Sequence, residues 1–374
     1  MNFRYFDNAA TTRVYDEVIN EMIPYFSEKY ANPSSICEMG KEAKLGIEEA
    51  RVKVAKLINC EPNEIYFTSG GSESDNMAIK GVAYSSRRGH IITTKIEHSA
   101  VIHTCQTLER KGFRVTYLDV DKDGMVNLDQ LRRAIRNDTI LISIMFANNE
   151  IGTIEPIYEI SKIAKMYNII LHTDAVQACG NVPIDVKKMG IDMLSLSGHK
   201  LHSPKGIGAL YIRNGIKLEK YIDGGHQESD RRAGTENVPG IVGLGKACEI
   251  ARNNLGINMK ILKELRDYYV MQVENSIPNA RLNGSRNMRL PGNANFSFRG
   301  IDGRGLVLEL NKRGICVSGG SACAAGSTKP SHVLTALGLP DEMAKAAIRT
   351  TFGPDNTKED IDYLVQNLKE ILSN

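Results

Sequence analysis

Strand-like and helix-like patterns alternate along this chain from about residue 41 to residue 212. The apolar residues of KEAKLGIEEARVKVAKLI have helical spacing, EIYFTS is strand-like, and SESDNMAIKGVAYSS is helical again. Further strands are predicted in HIITT, RVTYLDV, TILISIMFA, IILHTDA, MLSLS and IGALYI, with helices at 99–112, 128–136 and 157–166. Because strands that alternate with helices form βαβ units, the sequence predicts an α/β fold with a mainly parallel central sheet flanked by helices.

The pattern changes beyond Gly240 and indicates a second, smaller unit. Its predicted elements are helices near 241–254 and 258–276, a strand in ANFSF, a helix at 303–313 and a final helix at 357–372. A chain of 374 residues is too long for one compact core. We therefore expect a large α/β domain at 15–255. A small α+β domain would comprise 1–14 and 256–374, because residues 1–14 have no βαβ partner.

Composition excludes several classes of protein. The 47 basic and 44 acidic residues are scattered and leave a net charge of +3, with no run of Lys and Arg that could follow a track of phosphates. Direct binding of nucleic acid is therefore not expected. The amino-terminal residues show no signal-peptide pattern, and no stretch approaches the roughly 18 apolar residues of a membrane span. We expect a cytoplasmic protein that does not associate with membranes.

The seven cysteines are odd in number and include no CxxC pair. Neither a disulfide framework nor a structural zinc site is expected, and the cysteines are interpreted as reduced thiols. The loop DVDKDGMVNLDQ at 119–130 imitates a calcium-binding loop, but Gln130 stands where a bidentate carboxylate is needed. No metal site is predicted.

Three polar sites follow predicted strands, at the edge where open α/β sheets bind their ligands. The first is TSGGSES at 68–74, in which a strand ends in two glycines and a helix begins, with Ser72 as the expected N-cap. Free backbone amides at a helix start, with glycines that permit close approach, form an anion site suited to one phosphate. The segment lacks the pattern of a nucleotide P-loop.

The other two sites supply a carboxylate and an amine. HTDAVQ brings Asp174 to a strand end, with Gln177 three residues later. Asp174 could be a metal ligand, a general base or a partner for a protonated ring nitrogen. SGHK places Ser197, His199 and Lys200 together, and burial of Lys200 would lower the pKa of its amine and make it nucleophilic. A phosphate turn, a carboxylate and a reactive amine together match the needs of pyridoxal 5'-phosphate.

Motifs spread over nearly the whole chain give it a family resemblance. They are YFDNAATT, NPSS, TSGGSESDN, EHSA, NNEIG, HTDAVQ, SGHK, GTEN, and SGGSACAAGS followed by PSHVL. With these motifs the sequence resembles the NifS/IscS-like cysteine desulfurases of the class V aminotransferase family, which are fold-type I pyridoxal phosphate enzymes. The resemblance implies that the protein removes sulfur from L-cysteine and releases L-alanine.

The resemblance also implies a role for each of several residues. Lys200 would bind the cofactor covalently, Asp174 would face its ring nitrogen, and His98 would stack on the ring and relay protons. Gln177 would hydrogen-bond the ring hydroxyl, and Asn149 would lie beside the cofactor. The phosphate would be held by Gly71, Ser72, Ser197, His199 and Thr235. Arg349, with Asn32 and Asn149, would bind the substrate carboxylate, because arginine favours bidentate contacts with carboxylates.

Partners follow from the same resemblance. Thr235 would come from the neighbouring subunit, so that a homodimer would be necessary to the site. Cys323 in SGGSACAAGS would attack the substrate sulfur and keep it as a persulfide, and its glycine- and alanine-rich surroundings would let it swing at low cost. The sulfur would pass to an acceptor protein for iron-sulfur cluster assembly or for thiolation of tRNA or cofactors.

Two alternatives stay open. An aminotransferase or lyase of the same fold would use the same cofactor site, and Cys323 would then be incidental. A non-catalytic protein of this fold would bind partners without the cofactor. The sequence departs mildly from the family pattern, with Cys37 where many relatives have histidine, and Gly71 and Ser72 where alanine and threonine are usual.

Overall fold

The computed structural model describes residues 3–319 and 329–373. The strands of its central sheet are β2 (Ile65–Thr68), β3 (His90–Thr94), β4 (Arg114–Leu118), β5 (Thr139–Ser143), β6 (Ile170–Asp174), β7 (Met193–Ser197) and β8 (Gly208–Ile212). Their order across the sheet is β2-β8-β7-β6-β5-β3-β4. Strands β3 to β7 are parallel, and β8 is antiparallel to both of its neighbours, β2 and β7. The predicted α/β fold with a mainly parallel sheet is confirmed.

Helices cover both faces of the sheet, which explains why its strands are apolar throughout. Ile91 and Leu141 belong to the buried cluster on one face, whereas Ile92 and Ile142 belong to the cluster on the other. The helices of this region are α1 (Asp16–Met22), α2 (Pro24–Ser27), α3 (Glu38–Ile58), α4 (Gly71–Ser86), α5 (Ser99–Arg110), α6 (Leu128–Ala134), α7 (Ile157–Met166) and α8 (Val186–Met189). The first cluster contains residues of α4 and α5, and the second contains residues of α3 and α7.

A smaller group of elements has its own buried cluster. Its strands are β1 (Arg4–Tyr5), β9 (Ala280–Leu282), β10 (Asn293–Phe298), β11 (Ile315–Cys316) and β12 (Ala347–Thr351). Its helices are α10 (Gly303–Lys312) and α13 (Lys358–Leu372), whereas α11 (His332–Ala336) and α12 (Asp341–Lys345) pack in a further cluster with Ile96, Met145 and Ile151. Strand β10 pairs antiparallel with β9 and β12, and β1 pairs parallel with β11. Phe6 is fully buried in this cluster, so the amino-terminal segment packs against residues from the carboxyl-terminal part of the chain.

One helix, α9 (Val238–Ser276), replaces the two helices predicted near 241–254 and 258–276. The segment RNNLGIN between the predicted helices contains residues of low helix propensity, but Gly256 lies inside the continuous helix. Packing outweighs that local cost: Leu244 lies in a cluster with the central sheet, and Tyr269 lies in the cluster with β10. The helix α9 therefore connects the two groups of elements. None of the helices in the described part of the chain is both long and apolar enough to span a membrane.

Candidate active site

The turn between β2 and α4 offers backbone amides to an anion. Gly70 precedes α4 with a φ of 150°, a conformation that favours glycine, and it gives the helix no side-chain cap. The first amides of α4 are therefore open to an anion. Gly71 packs so closely that a Cβ there would lie 2.7 Å from Cγ2 of Val176. The expectation that Ser72 caps this helix is wrong, because the chain turns at Gly70 and Ser72 already lies inside α4.

Asp174 lies next to this turn. It ends β6, is buried, and accepts the backbone N–H of Val176 at 2.9 Å. Since Val176 also contacts Gly71, the carboxylate and the phosphate turn are neighbours. Side-chain atoms of Asp174, His98 and Asp75 all lie within 4.8 Å of one another. The carboxyl edge of the sheet thus gathers two carboxyl groups and an imidazole.

His98 is the N-cap of α5. Its Nδ1 accepts the backbone N–H of Ala100 at 3.2 Å, so the proton of the neutral ring lies on Nε2. Burial lowers the pKa of His98, the charge of Asp174 opposes this shift, and the charge of Lys200 adds to it. The neutral imidazole, with an N–H to donate from Nε2, is favoured in this site.

Lys200 ends a short 3-10 turn, Gly198–Lys200, that follows β7. Its Nζ donates to the carbonyl oxygens of Ala9 and Ala10, at 2.6 Å each. Gln177 donates from Nε2 to the same carbonyl of Ala9, at 3.0 Å. The strand-end amine and the amide that were predicted from different motifs therefore meet at one amino-terminal segment.

Ser197 and His199 flank the same turn. Ser197 is buried at the end of β7, and a Cβ added to Gly70 would lie 3.7 Å from its Oγ. His199 Nδ1 lies 3.2 Å from Oγ1 of Thr11. Burial, followed by the charge of Lys200, lowers the pKa of His199 to about 4, so its ring is neutral near pH 7. Ser197 therefore lies beside the phosphate turn, and His199 connects β7 to the amino-terminal segment.

Arg349 lies in the middle of β12 and is only 1% exposed. Its Nη2 donates to Oδ1 of Asp7 at 2.7 Å, and its Nη1 donates to the carbonyl oxygen of Asn149 at 3.2 Å. The same carbonyl of Asn149 accepts a bond from Asn293 at 3.3 Å. The structure thus brings the side chain of Arg349 to the backbone carbonyl of Asn149.

Three predicted site residues are not joined to this group. Asn32 is exposed, and its Oδ1 accepts the backbone N–H of Ser34 at 2.9 Å. Thr235 is exposed in the segment before α9, and within the described residues no hydrogen bond links it to the phosphate turn of its own chain. Cys323 lies outside the described residues.

The described residues on either side of Cys323 both reach the site. Ser318 exchanges two backbone hydrogen bonds with Arg349, at 2.7 and 3.2 Å. Ser331 donates from Oγ to Oε2 of the buried Glu150 at 2.6 Å. His332 bonds through Nε2 to the carbonyl oxygen of Glu97, the residue before His98, at 3.0 Å.

A buried polar network that the sequence patterns did not predict lies beneath Asp174. Asp75 on α4 is buried, its Oδ1 lies 3.7 Å from Nε2 of His172, and that oxygen has no hydrogen-bond partner among the described residues. The two ring nitrogens of His172 lie 2.9 Å from the hydroxyls of Ser143 and Ser195. These side chains form a polar layer between α4 and the sheet.

A sequence signal for Asp75 exists. Asp75, Ile79 and Val82 recur at helical spacing, so a carboxylate interrupts the apolar face of α4. A carboxyl group on a buried helix face needs a polar partner or a function. The motif SESDN contained the residue, but only the fold shows what it faces.

The two buried carboxyl groups have different surroundings. Burial raises the pKa of Asp75 well above its usual range, and the charge of Asp174 raises it further. Burial also raises the pKa of Asp174, but His98, the N–H of Val176 and Lys200 oppose that shift. Of the pair, Asp174 is therefore favoured to carry the negative charge, and Asp75 is favoured to keep a proton. Burial lowers the pKa of His172 to about 3, which leaves the network neutral.

The side chain of Glu73 also stabilises the turn between β2 and α4, the phosphate turn. Glu73 accepts the backbone N–H of Ser69 at 2.9 Å and the Nε–H of Arg232 at 2.8 Å. Arg232 lies three residues before Thr235. The turn is thus tied to the exposed segment for which a role in the neighbouring subunit is expected.

The donors in this site fit pyridoxal phosphate. The uncapped amides of α4 suit its phosphate, the buried carboxylate of Asp174 suits a cationic ring nitrogen, and Lys200 supplies the amine for its aldehyde. Asp174 ends β6 and Lys200 follows the adjacent strand β7, which places the two groups at one edge of the sheet.

Comparison with known proteins agrees with this fit. The aminotransferase class-V family model matches residues 4–364. A cysteine desulfurase IscS from Methanosarcina thermophila is 56% identical over 370 residues, which cover 98% of this chain and 91% of that protein. A solved NifS-like protein is similar with a TM-score of 0.94 and 43% identity, over 99% of each chain. SspA, solved in complex with cysteine, has a TM-score of 0.85 and 40% identity, and the match covers 95% of this chain and 100% of SspA.

Proposed function

This chain belongs to the class-V aminotransferase family and is a pyridoxal phosphate-dependent cysteine desulfurase, and from that premise we propose which residues carry out its reaction. The observation that best supports the assignment is the placement of Lys200, His98 and Asp174 at the carboxyl edge of the sheet, beside the uncapped amides of α4. An amine, a neutral imidazole and a buried carboxylate around a phosphate site can bind this cofactor and move protons.

The residues proposed to hold the cofactor are Lys200, Asp174, His98, Gln177, Asn149, Gly71, Ser72, Ser197 and His199, with Thr235 from a partner subunit. When bound, pyridoxal phosphate supplies an electron sink for the negative charge that develops at the substrate Cα. The carboxylate of Asp174 would stabilise a positive charge on the ring nitrogen. Asp75, which is favoured in its neutral form, would add no second negative charge there.

The substrate is L-cysteine. Arg349 is proposed to bind its α-carboxylate, because a buried guanidinium forms strong charge-assisted hydrogen bonds with a carboxylate. Asn149, whose carbonyl already contacts Arg349, lies beside this position. Asn32 is proposed to complete the carboxylate site, although it is exposed in the described structure.

Lys200 and His98 are proposed to move protons. The Nζ of Lys200, oriented by the carbonyls of Ala9 and Ala10, removes the proton from the substrate Cα. The neutral His98 donates the proton on its Nε2 to a developing negative charge. The second step requires the neutral imidazole, which burial favours.

Cys323 is proposed to receive the sulfur. Its Sγ attacks the substrate sulfur, the Cβ–S bond of the substrate breaks, and a proton replaces the sulfur at Cβ. L-cysteine and the Cys323 thiol thereby become L-alanine and a Cys323 persulfide. The contacts of Ser318 with Arg349 and of Ser331 with Glu150 support this role, because they bring the chain on both sides of Cys323 to the site.

Product analysis tests this function. The wild-type protein with pyridoxal phosphate should convert L-cysteine to L-alanine, and Lys200→Ala should lower that rate by about a thousandfold or more because the general base is lost. An aminotransferase would instead release a keto acid and leave the cofactor in its amine form. Formation of the keto acid would contradict the assignment.

We also propose a homodimer in which Thr235 completes the partner's phosphate site. Its exposure, and the bond between Arg232 and the phosphate turn, support a position at the border of two sites. Mixing an inactive Lys200→Ala protein with an inactive Thr235→Asp protein tests this idea. If Thr235 acts across the interface, the mixed dimer has one intact site and activity returns. If Thr235 acts within its own chain, both sites stay defective.

The remaining proposals concern the organisation of the chain and its setting. The division into a large domain at 15–255 and a small domain of 1–14 and 256–374 is supported by separate buried clusters around Leu194 and Phe296. All six cysteines in the described ranges are free thiols, which supports the proposed cytoplasmic location. An acceptor protein would take the sulfur from Cys323 for iron-sulfur cluster assembly or for thiolation of tRNA or cofactors.

A further inference from the structure

We infer that Asp7 is a positioning residue of the substrate-carboxylate site, and that it holds the guanidinium of Arg349 in the orientation that receives the substrate. The inference rests on the proposed role of Arg349. Its basis is a charge-assisted hydrogen bond of 2.7 Å from Nη2 of Arg349 to Oδ1 of Asp7.

Arg349 needs such a partner because it is buried. Its side chain is 1% exposed, and Asp7 supplies the carboxylate within ion-pair distance among the residues that the structure describes. The Nε of Arg349 is buried without a hydrogen-bond partner in the same residues. A buried cation that loses its counter-ion is strongly disfavoured, so Asp7 governs where the guanidinium lies before the substrate arrives.

The hydrogen bonds of the Arg349 side chain leave donors for the substrate. A guanidinium carries five N–H donors. One bond runs from Nη2 to Asp7, and one runs from Nη1 to the carbonyl of Asn149. Because the backbone of Arg349 is fixed between β10 and Ser318, only the orientation of its side chain can change. Asp7 and Asn149 together remove that freedom.

Asp7 is itself held firmly. Its carbonyl oxygen accepts the hydroxyl of Tyr5 at 3.0 Å and the backbone N–H of Ala10 at 2.9 Å. It also forms a bridge with Thr351, two residues after Arg349 on β12. The side chain of Asp7 is 18% exposed, which makes its pairing with Arg349 stronger than that of a surface ion pair. Asp7 is therefore a rigid reference point for the guanidinium.

The same short segment also positions the amine of the site. Asp7 holds Arg349, while the carbonyls of Ala9 and Ala10 accept the Nζ–H groups of Lys200. The segment 7–10 thus lies between the group for the α-carboxylate and the group that reacts at Cα. An α-amino acid bears its carboxylate on the same carbon as its amine, so one segment positions both of the groups proposed to act on such a ligand.

Binding of two matched ligands to the holoenzyme tests the inference. L-alanine carries the α-carboxylate, and ethylamine is the same molecule without it. Asp7→Ala should weaken binding of L-alanine by about tenfold or more, because an oriented charge-assisted bond is lost. It should change binding of ethylamine by less than about twofold. Asp7→Asn keeps an acceptor oxygen for Nη2 but loses the charge, so its affinity for L-alanine should lie between those of Asp7→Ala and wild type.

A control variant separates this role from general destabilisation. Asp267 pairs with the buried Arg266 at the same distance of 2.7 Å, on α9. Asp267→Ala should leave the affinity for both ligands unchanged, even if its melting temperature falls as far as that of Asp7→Ala.

Three results would overturn the inference: unchanged L-alanine affinity in Asp7→Ala, equal weakening for both ligands, or an Asp7→Asn protein as impaired as Asp7→Ala. These measurements do not depend on turnover. A wild-type protein that forms no L-alanine from L-cysteine would instead refute the proposed function.

Discussion

At the scale of single residues, two buried carboxyl groups lie close together in one site and differ in charge. Asp174 accepts a backbone N–H and lies near Lys200, whereas an oxygen of Asp75 has no partner among the described residues. Two carboxylates this close do not both ionise readily in a buried site. The surroundings assign the negative charge to Asp174 and the proton to Asp75.

The same substitution should therefore have a large effect on cofactor binding at Asp174 and a small effect at Asp75. Asp174→Asn removes the charge that faces the cofactor and should raise the dissociation constant of pyridoxal phosphate by about tenfold to a hundredfold. Asp75→Asn replaces a protonated carboxyl group with a neutral amide of similar shape and should change that constant by less than about threefold. Equilibrium titration of the apoprotein with the cofactor measures both values.

Melting temperatures of the two apoproteins provide the control for folding. The assignment of protons is contradicted if Asp75→Asn weakens cofactor binding as strongly as Asp174→Asn while both proteins remain folded.

At the scale of elements, the turn from β2 into α4 depends on how closely Gly71 approaches the residue after Asp174. A Cβ at Gly71 would lie 2.7 Å from Cγ2 of Val176, and a β-branched side chain has little freedom to move away. The start of α4 would have to shift. The position of its amides is therefore sensitive to a single methyl group.

Two Gly→Ala substitutions should accordingly change different properties, one the cofactor affinity and the other the free energy of unfolding. Gly71→Ala should raise the dissociation constant of pyridoxal phosphate by about tenfold or more, because the amides of α4 are displaced. Gly256→Ala lies in the exposed interior of α9, where a Cβ would meet no atom within 4 Å. It should raise the free energy of unfolding by about 0.5–1 kcal/mol and leave cofactor affinity unchanged. Chemical denaturation and cofactor titration distinguish the outcomes, and a fully retained affinity in Gly71→Ala would contradict the steric argument.

Elements with a local signal are predictable from the sequence. The residues HIITT form β3, and the helix predicted at 157–166 is α7 (Ile157–Met166). The continuity of α9 is not predictable, because packing at both of its ends outweighs its low local propensity. Strand β12 is not predicted either, since its partners β10 and Ser318 lie far away in the chain.

Some residues of the candidate site are likewise predictable from the sequence, and others are not. Asp174 and Lys200 are predictable because Asp174 ends an apolar strand and Lys200 ends the short turn that follows the next one. Asp7 is not, because its partner Arg349 lies 342 residues further along the chain. Asp75 is missed because its environment is created by three strands of the sheet rather than by its own helix. Contacts between distant segments carry the information that local patterns lack.

At the scale of the whole molecule, a buried acid links stability to pH. Glu155 is buried, its Oε2 accepts the backbone N–H of Val126, and its Oε1 has no partner among the described residues. Burial raises the pKa of Glu155 from 4.5 to about 8. Between these values the unfolded chain releases the proton that the folded protein keeps, so stability present below pH 4.5 is lost as the pH rises through about 8.

Glu155→Gln should reduce that loss, since glutamine cannot ionise. We expect the unfolding free energy of the variant to fall less than that of wild type between pH 5 and pH 8.5, in denaturation curves measured at both values. Glu159→Gln, on the exposed face of α7, serves as the control and should follow wild type. Identical pH dependence in Glu155→Gln and wild type would show that Glu155 is already ionised in the folded protein.

We propose that one cofactor site, built around Lys200, passes sulfur from L-cysteine to Cys323. Intact-mass measurement after a single turnover with L-cysteine is the simplest check of this transfer. We expect one added sulfur atom on the wild-type protein and on Cys37→Ser, whose thiol is the exposed one among the described cysteines, and no added sulfur on Cys323→Ser or Lys200→Ala. A sulfur adduct on Cys323→Ser equal to that of wild type would refute the proposal, because another thiol would then carry the sulfur.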